Sequence, residues 1–363
     1  MASYYTALTF FTIMLMLNLG ALTARNDALS KNMKFGIILS SLMIVAASAC
    51  EFLGVRMDAA SVSLRIPHML VKFIELSLAP VIPIVFANAI HPIRSIRLII
   101  ALLVGHCLLQ FASMHWGITF YVDENNIYQH CSFYWIYHVA YFLSIAFFIV
   151  HLSRSIRFYQ IRNRLSLILI FCFLLSGIVW SALVSELRIV WLAIAIGEVL
   201  LYVFYSDILQ QTDPLTQLLN RRSFEAHIGR LKQRCVILYA DIDRFKDIND
   251  TYGHAFGDQV LTVIGDTLKF SYGKYGRCYR IGGDEFCILL DTNVSQPELY
   301  NKAFYALLEE KRRSVQHLPN VSVGYAVFVP GSTTASEAVE KADQMMYALK
   351  QRNRLDRLRA EAK

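Results

Sequence analysis

Apolar residues in the first 205 positions form long uninterrupted stretches, unlike the short alternating runs of a soluble sheet. Seven stretches have roughly the 17–25 residues that an α-helix needs to cross a bilayer. They cover residues 4–23, 35–54, 68–91, 98–118, 132–152, 165–185 and 188–205. This pattern predicts an all-α transmembrane bundle of about seven helices.

From residue 206 the pattern changes to short apolar runs separated by polar turns and amphipathic segments. CVILYADID (235–243) is typical of a buried strand, and GRCYRIGGDEFCILLD (276–291) of two strands joined by a tight turn. The order helix, strand, helix, helix, strand, strand, helix, strand, helix predicts an α/β domain with a central, mainly antiparallel sheet flanked by helices. We expect a membrane sensor or anchor domain, a short helical linker and a soluble domain, at residues 1–205, 206–212 and 213–363.

The charged residues follow the same division. Only 21 of the 63 Lys, Arg, Asp and Glu residues lie in the first 205 positions, so that part is about 10% charged, whereas soluble domains average about 25%. The formal charge of +7 divides into +5 there and +2 in the rest, which is too balanced for a nucleic-acid-binding surface. The seven cysteines show no CxxC spacing, so neither a zinc site nor a disulfide framework is expected.

Basic residues between the apolar stretches predict the orientation, because cytoplasmic loops are enriched in Lys and Arg. The first, third and fifth loops carry nine: Arg25, Lys31, Lys34, Arg94, Arg97, Arg154, Arg157, Arg162 and Arg164. The second, fourth and sixth loops carry only Arg56, Arg65 and Arg188. With seven spans, the protein is a multi-pass inner (plasma) membrane protein with its N-terminus outside and its C-terminal domain in the cytoplasm. The first stretch lacks a preceding basic residue, which argues against a cleaved signal peptide.

Several ionisable residues fall inside the predicted spans: Glu51, Lys72, Glu75, His106, His138 and Glu198. Lys72 and Glu75 are three residues apart, so on a helix they can pair. Two interpretations are open for such residues: a ligand or ion site in a sensor, or polar contacts between helices. Pro80 and Pro83 interrupt the third span, as a hinge or as a tolerated kink.

Acidic residues mark the ends of the predicted strands in the soluble domain. Asp241 and Asp243 end one strand, and Asp284 and Glu285 follow Gly282 and Gly283 at the tip of the hairpin. If the strand lies beside the hairpin, Asp241 and Asp284 converge, and a site with few carboxylate ligands suits magnesium, which keeps waters and takes substrate phosphates. The glycines permit the turn and let a ligand approach the backbone closely.

Five ordered motifs in residues 207–356 identify a family resemblance. They are DPLTQLLNRRSF (213–224), DIDRFKDINDTYGHAFGDQVL (241–261), RIGGDEF (280–286), SVGYA (322–326) and ADQMMYALKQRNR (342–354). Together they resemble the diguanylate cyclase, or GGDEF, domain family. Members condense two GTP molecules into cyclic di-GMP and release pyrophosphate.

The resemblance implies a role for each matching residue. Asp241, Asp284 and the Ile242 carbonyl would bind two Mg²⁺ ions per site, with Mn²⁺ as a substitute. Glu285 would be the catalytic acidic residue, which helps deprotonate the attacking 3′-hydroxyl or holds the second metal. The substrate-binding residues would be Phe245, Lys246, Asn249, His254, Asp258, Arg280, Lys350 and Arg354. Of these, Asn249 and Asp258 would hydrogen-bond guanine, whose N1–H and amino group suit a carboxylate acceptor. The basic side chains would neutralise the triphosphate.

Two departures from the family pattern alter these expectations. Gln217 replaces the usual glycine of the first motif. This change affects the segment through which the chain enters the domain rather than the chemistry. Gly273 and Gly276 stand where many members carry an Arg-x-x-Asp inhibitory site. Neither glycine has a side chain that can bind the product, so we predict no product inhibition through that site.

One domain of this family holds one GTP, so the resemblance implies a homodimer whose membrane part sets the spacing of the two sites. The expected partners are GTP, the lipid bilayer, a second copy of the chain and a signal ligand of unknown chemistry. Two alternatives stay open: a membrane receptor that binds GTP without turning it over, and a transporter with an appended regulatory domain.

Overall fold

The computed structural model describes residues 2–93, 95–158, 164–184, 188–291 and 297–361. Contacts within the chain divide it into two compact units, Met1–Asp207 and Ile208–Lys363, called units 1 and 2 below. Among the basic loop residues, Arg94, Arg162 and the side chains of Arg157 and Arg164 lie outside the described residues.

Unit 1 is built almost entirely from helices, because a backbone surrounded by apolar side chains must satisfy its own hydrogen bonds. Its helices are α1 (Ala2–Arg25), α2 (Lys31–Met57), α3 (Arg65–Leu78), α4 (Val81–Ile90), α5 (Ile96–Trp116), α6 (Trp135–Phe158), α7 (Arg164–Leu183) and α8 (Val190–Gln211). A 3₁₀ turn, Val62–Leu64, precedes α3. An antiparallel hairpin of β1 (Phe120–Val122) and β2 (Tyr128–His130) lies between α5 and α6, where the sequence pattern predicted a loop.

The predicted bundle of apolar helices is confirmed, with the β1–β2 hairpin added to it. Within the described residues, six helical segments are long and apolar enough to cross a membrane, and the apolar helix Leu165–Trp180 is shorter. One of the six, Val62–Ile90, is interrupted where α3 ends at Leu78 and α4 begins at Val81. Pro80 lies in this break, because it has no N–H to continue the helix.

The intramembrane ionisable residues make contacts inside unit 1. Lys72 Nζ lies 2.9 Å from Glu75 Oε2, so the predicted pairing within one helix is present. The Tyr5 hydroxyl donates to Glu51 at 2.7 Å and links α1 to α2. His106 Nε2 lies 3.1 Å from the Leu76 carbonyl oxygen. The contacts of Glu51 and His106 support the interpretation as polar contacts between helices, whereas the Lys72–Glu75 pair lies within α3.

Unit 2 is the α/β domain that the sequence predicted. Its elements are β3 (Leu219–Asn220), α9 (Arg221–Ile228), β4 (Cys235–Ile242), α10 (Phe245–Tyr252), α11 (His254–Tyr272), β5 (Gly276–Arg280), β6 (Glu285–Leu290), α12 (Pro297–Ser314), β7 (Val321–Phe328) and α13 (Ala335–Glu361). The five strands form one sheet in the order β3-β5-β6-β4-β7. β3 and β5 are parallel, and the other three pairs are antiparallel.

Helices cover both faces of this sheet. Alternate residues of β4 point in opposite directions, so Leu238, Ala240 and Ile242 pack into the core beneath α11 and α12. Ile237 belongs to the other core, which α9 and α13 cover. The same alternation places Asp241 on the α13 face.

β7 and α13 approach each other unusually closely. A Cβ at Gly324 would lie 2.2 Å from Met346 N, so only glycine allows this spacing. The close packing holds α13 beside the acidic end of β4.

Candidate active site

Three carboxylates meet at one edge of the sheet of unit 2. In the antiparallel pair of β4 and β6, Asp241 lies directly opposite Glu285, so both side chains leave the same face of the sheet. Asp284 precedes β6, and its carbonyl oxygen accepts a hydrogen bond from Ile242 N at 3.2 Å. Asp241, Asp284 and Glu285 all line one open cleft of about 1380 Å³.

The two glycines before these acids have different surroundings. A Cβ at Gly282 would lie 2.3 Å from Glu285 Oε2, whereas a Cβ at Gly283 would meet nothing within 4 Å. Neither glycine has a positive φ, so the turn itself does not require them. Gly282 leaves room for the Glu285 carboxylate, and Gly283 leaves open space above the turn.

Asp241 is paired with a lysine from α13. Lys350 Nζ forms an ion pair and hydrogen bond with Asp241 Oδ1, and Asp241 itself is 9% exposed. Burial raises the pKa of Asp241 above its usual value, Lys350 opposes that rise, and the nearby Asp284 and Glu285 add to it. Negative charge is therefore concentrated here beyond what one lysine compensates.

Basic and aromatic residues complete the cleft. Phe245 and Lys246 lie in the first turn of α10, at the N-terminus of that helix. Free N–H groups at a helix N-terminus suit phosphate oxygens. Lys350 and Arg354 line the cleft from α13 together with Asp343. Their spacing of 7 and 4 residues places them on one face of that helix.

Three further residues of the expected substrate site lie at the corner between α10 and α11. A Cβ at Gly257 would lie 1.9 Å from Asn249 Oδ1, so this glycine is required for the two helices to meet. His254 and Asp258 are exposed in the first turns of α11. Asn249, His254 and Asp258 do not line the acidic cleft. However, α10 contributes residues both to the cleft and to this corner.

Arg280 is engaged elsewhere. Its Nη1 lies 3.1 and 3.2 Å from the two carboxylate oxygens of Asp213, and its Nη2 donates to the Gly283 carbonyl at 2.7 Å. Arg280 does not line the cleft. Arg280 therefore clamps the Gly-Gly turn in this structure, and the phosphate contact that the family resemblance implies for it stays a prediction.

Asp213 is one of two residues at this site that sequence reasoning missed. One carboxylate oxygen also accepts hydrogen bonds from Thr216 N at 2.8 Å and from Thr216 Oγ1 at 2.7 Å. Its position at the start of the first motif was visible, but its separation of 67 positions from Arg280 hid their pairing. Asp343 was missed as well, although its helical spacing from Lys350 gave a usable signal.

The two departures from the family pattern have clear structural settings. Gln217 adopts a left-handed backbone conformation with φ of 56°, which glycine adopts at lower cost. Gly276 begins β5, and a Cβ there would lie 2.0 Å from the Leu289 carbonyl oxygen. An aspartate at position 276 therefore has no room in this backbone.

The donor set of the cleft fits a magnesium ion that arrives with substrate. No group of three or more His, Cys, Asp or Glu side chains in the described part of the chain has the arrangement of a complete metal site. Magnesium commonly uses one or two carboxylates and completes its shell with water and phosphate oxygens. Asp241 and Asp284 provide such carboxylates, and the Lys350 ammonium shows that Asp241 attracts a cation.

Comparisons with known proteins agree with these observations. The sequence profile of the family described as "Diguanylate cyclase, GGDEF domain" matches residues 210–355. Diguanylate cyclase DgcN of Escherichia coli (strain K12) is 35% identical over 149 residues, which are 38% of this chain and 36% of DgcN. Diguanylate cyclase A of Treponema denticola is 33% identical over 136 residues, 35% of each chain.

The comparison with solved structures also includes a GGDEF domain. The GGDEF domain of DgcB from Caulobacter crescentus, in complex with c-di-GMP, is 29% identical and covers 39% of this chain and 90% of that chain, with a TM-score of 0.36. The chain spans only 19% to 36% of the length of curated relatives such as YkoW of Bacillus subtilis and DgcN. The resemblance inferred from the five motifs is confirmed: residues 210–355 belong to the diguanylate cyclase, or GGDEF, domain family.

Proposed function

We propose that the chain is a membrane-anchored diguanylate cyclase that condenses two GTP molecules into cyclic di-GMP and two pyrophosphates. The observation that carries the proposal is the convergence of Asp241, Asp284 and Glu285 on one cleft of a GGDEF domain. The relatives named as diguanylate cyclases support this enzyme class.

In the proposed reaction, the 3′-oxygen of each GTP attacks the α-phosphorus of the other. The bond from that phosphorus to the bridging oxygen breaks, pyrophosphate leaves, and the hydroxyl proton passes to Glu285 or to water. Bound Mg²⁺ would neutralise phosphate charge and lower the pKa of the attacking hydroxyl. Asp241, Asp284 and the Ile242 carbonyl would hold the metal.

The remaining residues would position the nucleotide, since phosphoryl transfer depends mostly on positioning and charge neutralisation. Lys246 and Arg354 line the cleft and would contact the triphosphate together with the first turn of α10. Asn249 and Asp258, at the corner between α10 and α11, would hydrogen-bond guanine, with His254 nearby. Lys350 would exchange its contact with Asp241 for the metal or a phosphate.

Each domain would bind one GTP, so both bonds form only where two domains face each other. We therefore propose a homodimer, with unit 1 as the anchor that regulates how the two domains meet. The excess of basic residues in the odd-numbered loops supports a cytoplasmic C-terminal domain and an outside N-terminus, provided that seven helices cross the membrane.

Turnover by the full chain in lipid nanodiscs tests the proposal. Wild type supplied with GTP and Mg²⁺ is expected to form cyclic di-GMP, and Glu285→Gln to lose activity by about 100-fold or more. Glu310→Gln, on the exposed side of α12, is the matched control. GTP binding without any cyclic dinucleotide from a dimeric wild type would instead support the silent receptor.

A further inference from the structure

Unit 1 contains an apolar cavity of about 380 Å³ that the proposed cyclase chemistry does not use. It is lined mainly by α4, α6, α7 and α8, with aliphatic and aromatic side chains such as Phe86, Phe148 and Leu175. Ligand sites in proteins commonly have volumes of roughly 300–1,000 Å³, apolar walls and a few well-placed polar groups. At about 30 Å³ per non-hydrogen atom, this volume holds about a dozen such atoms.

The carboxylate in the wall of this cavity belongs to Glu198 of α8, and Tyr141 and Cys172 also line the cavity. Glu198 is 5% exposed, and its Oε1 accepts hydrogen bonds from Ser40 at 2.5 Å and from Ser41 at 3.3 Å. Its Oε2 is buried and has no hydrogen-bond partner among the described residues. A buried carboxylate oxygen without a partner is costly, and an acyl chain of the bilayer has no group that satisfies it.

Glu198 also differs from the other carboxylates deep in the bundle. Glu51 accepts a hydrogen bond from Tyr5. Glu75 is neutralised by Lys72. Within the described ranges, no lysine, arginine or histidine forms an ion pair with Glu198. Carboxylates inside membrane bundles are normally paired, so Glu198 Oε2 can take a cation or a strong hydrogen-bond donor as its partner.

We propose that this cavity binds a lipophilic amine of about a dozen non-hydrogen atoms, whose ammonium group donates to Glu198 Oε2. The apolar tail fills the space between α6 and α7, and the two serines hold Oε1, which leaves Oε2 as the acceptor for the ligand. Under the proposed function, such a site supplies the input of the membrane sensor, because Glu198 lies on α8, the helix that continues to Gln211 and into the GGDEF domain. The binding itself does not depend on the enzyme activity.

Cys172 provides a reporter for the cavity. It lines the cavity and is an exposed free thiol, whereas Cys107 of α5 is also a free thiol and does not line it. A bound ligand is expected to slow alkylation of Cys172 by a small membrane-permeant maleimide. The rate at Cys107, measured by mass spectrometry in the same sample, corrects for effects of the ligand on the bilayer.

The test compares three probes with the same tail, dodecylamine, dodecanol and dodecanoate, on the full chain in nanodiscs. Dodecylamine is expected to protect Cys172 at concentrations about tenfold or more below dodecanol, because a hydrogen bond to a charged group is stronger than a neutral one. Dodecanoate is expected to give no protection, since its charge repels Glu198. Equal protection by all three probes would overturn the proposal and indicate a groove that any acyl chain fills.

Two variants make the result specific. Glu198→Gln is expected to remove the preference for the amine over the alcohol, whereas Glu75→Gln, the matched control, is expected to keep it. Ile145→Trp, which fills the cavity from α6 and leaves Glu198 in place, is expected to abolish protection by every probe. Retention of the amine preference in Glu198→Gln, or undiminished protection in Ile145→Trp, would overturn the assignment.

Discussion

The ion pair between Asp213 and Arg280 offers a sharp test of how the catalytic turn is held. Asp213→Asn removes the negative charge with almost no change in side-chain volume. The two side chains are 18% and 15% exposed, so the pair is closer to a buried than to a surface ion pair. Breaking a buried ion pair costs about 3–5 kcal/mol of stability, whereas breaking an exposed one costs at most about 1 kcal/mol. We expect a loss of about 2–3 kcal/mol in the stability of unit 2.

The effect on turnover follows from what Arg280 holds. Arg280 clamps the Gly283 carbonyl oxygen at 2.7 Å, directly before Asp284 and Glu285. Displacement of catalytic groups by about 1 Å commonly costs about 100-fold in rate. We therefore expect kcat to fall about 10- to 100-fold in Asp213→Asn and in Arg280→Gln, with little change in KM for GTP.

A double-mutant cycle on kcat distinguishes this clamp from a phosphate ligand. If the two residues act as one unit, Asp213→Asn/Arg280→Gln is no worse than either single variant. The assay is pyrophosphate release by the full chain in nanodiscs, with apparent melting temperature as a second measure. The reasoning is refuted by three results together: Arg280→Gln raises KM for GTP strongly, Asp213→Asn leaves kcat and KM unchanged, and the double variant shows the sum of the two single effects.

Other residues of unit 2 give further tests. Gly282→Ala places a Cβ 2.3 Å from Glu285 Oε2 and is expected to lower kcat by about tenfold or more. Gly283→Ala, whose new Cβ has nothing within 4 Å, is expected to lower kcat less. Equal losses of kcat in steady-state assays would contradict this prediction. Burial lowers the pKa of Lys269 from 10.5 to about 8, so at neutral pH both the folded and unfolded states carry the charge and burial destabilises the fold. Between about pH 8 and pH 10.5 only the unfolded state keeps the proton on Lys269, so wild-type stability rises with pH. Lys269→Met is therefore expected to raise the melting temperature at pH 7 but not at pH 10.5. An equal gain in melting temperature at both pH values would disprove the explanation. Because positions 273 and 276 are glycines and a side chain at 276 has no room, cyclic di-GMP is expected not to inhibit turnover through this region; tight inhibition with product bound near Gly273 would be contrary evidence.

Local patterns in the sequence were enough to predict much of the fold. The long apolar stretches predicted the helices of unit 1, and the acids after CVILYADID together with the Gly-Gly turn predicted a strand beside a hairpin. The sheet pairs β4 with β6, and Asp241 lies opposite Glu285. Such predictions succeed because strand alternation and turn chemistry are encoded by neighbouring residues.

Features set by distant contacts escaped the sequence. The position of the Arg280 side chain depends on its ion pair with Asp213, which is 67 residues away in the sequence. No local sequence pattern predicts a contact between residues so far apart. The left-handed backbone conformation of Gln217 could be inferred only from the glycine that the family usually has at that position. The β1–β2 hairpin is too short for a clear alternation, and the missing partner of Glu198 Oε2 is visible only once the helices are packed.

Binding of a divalent ion tests the central claim most directly. Mn²⁺ replaces Mg²⁺ as a paramagnetic probe, and its binding to the full chain is measured by electron paramagnetic resonance with a non-hydrolysable GTP analogue present. We predict that wild type binds Mn²⁺ only together with the nucleotide, and that Asp241→Asn and Asp284→Asn each weaken binding about tenfold or more, while Asp250→Asn, on the exposed side of α10, does not. Binding of Mn²⁺ at wild-type strength by both Asp241→Asn and Asp284→Asn would contradict the account.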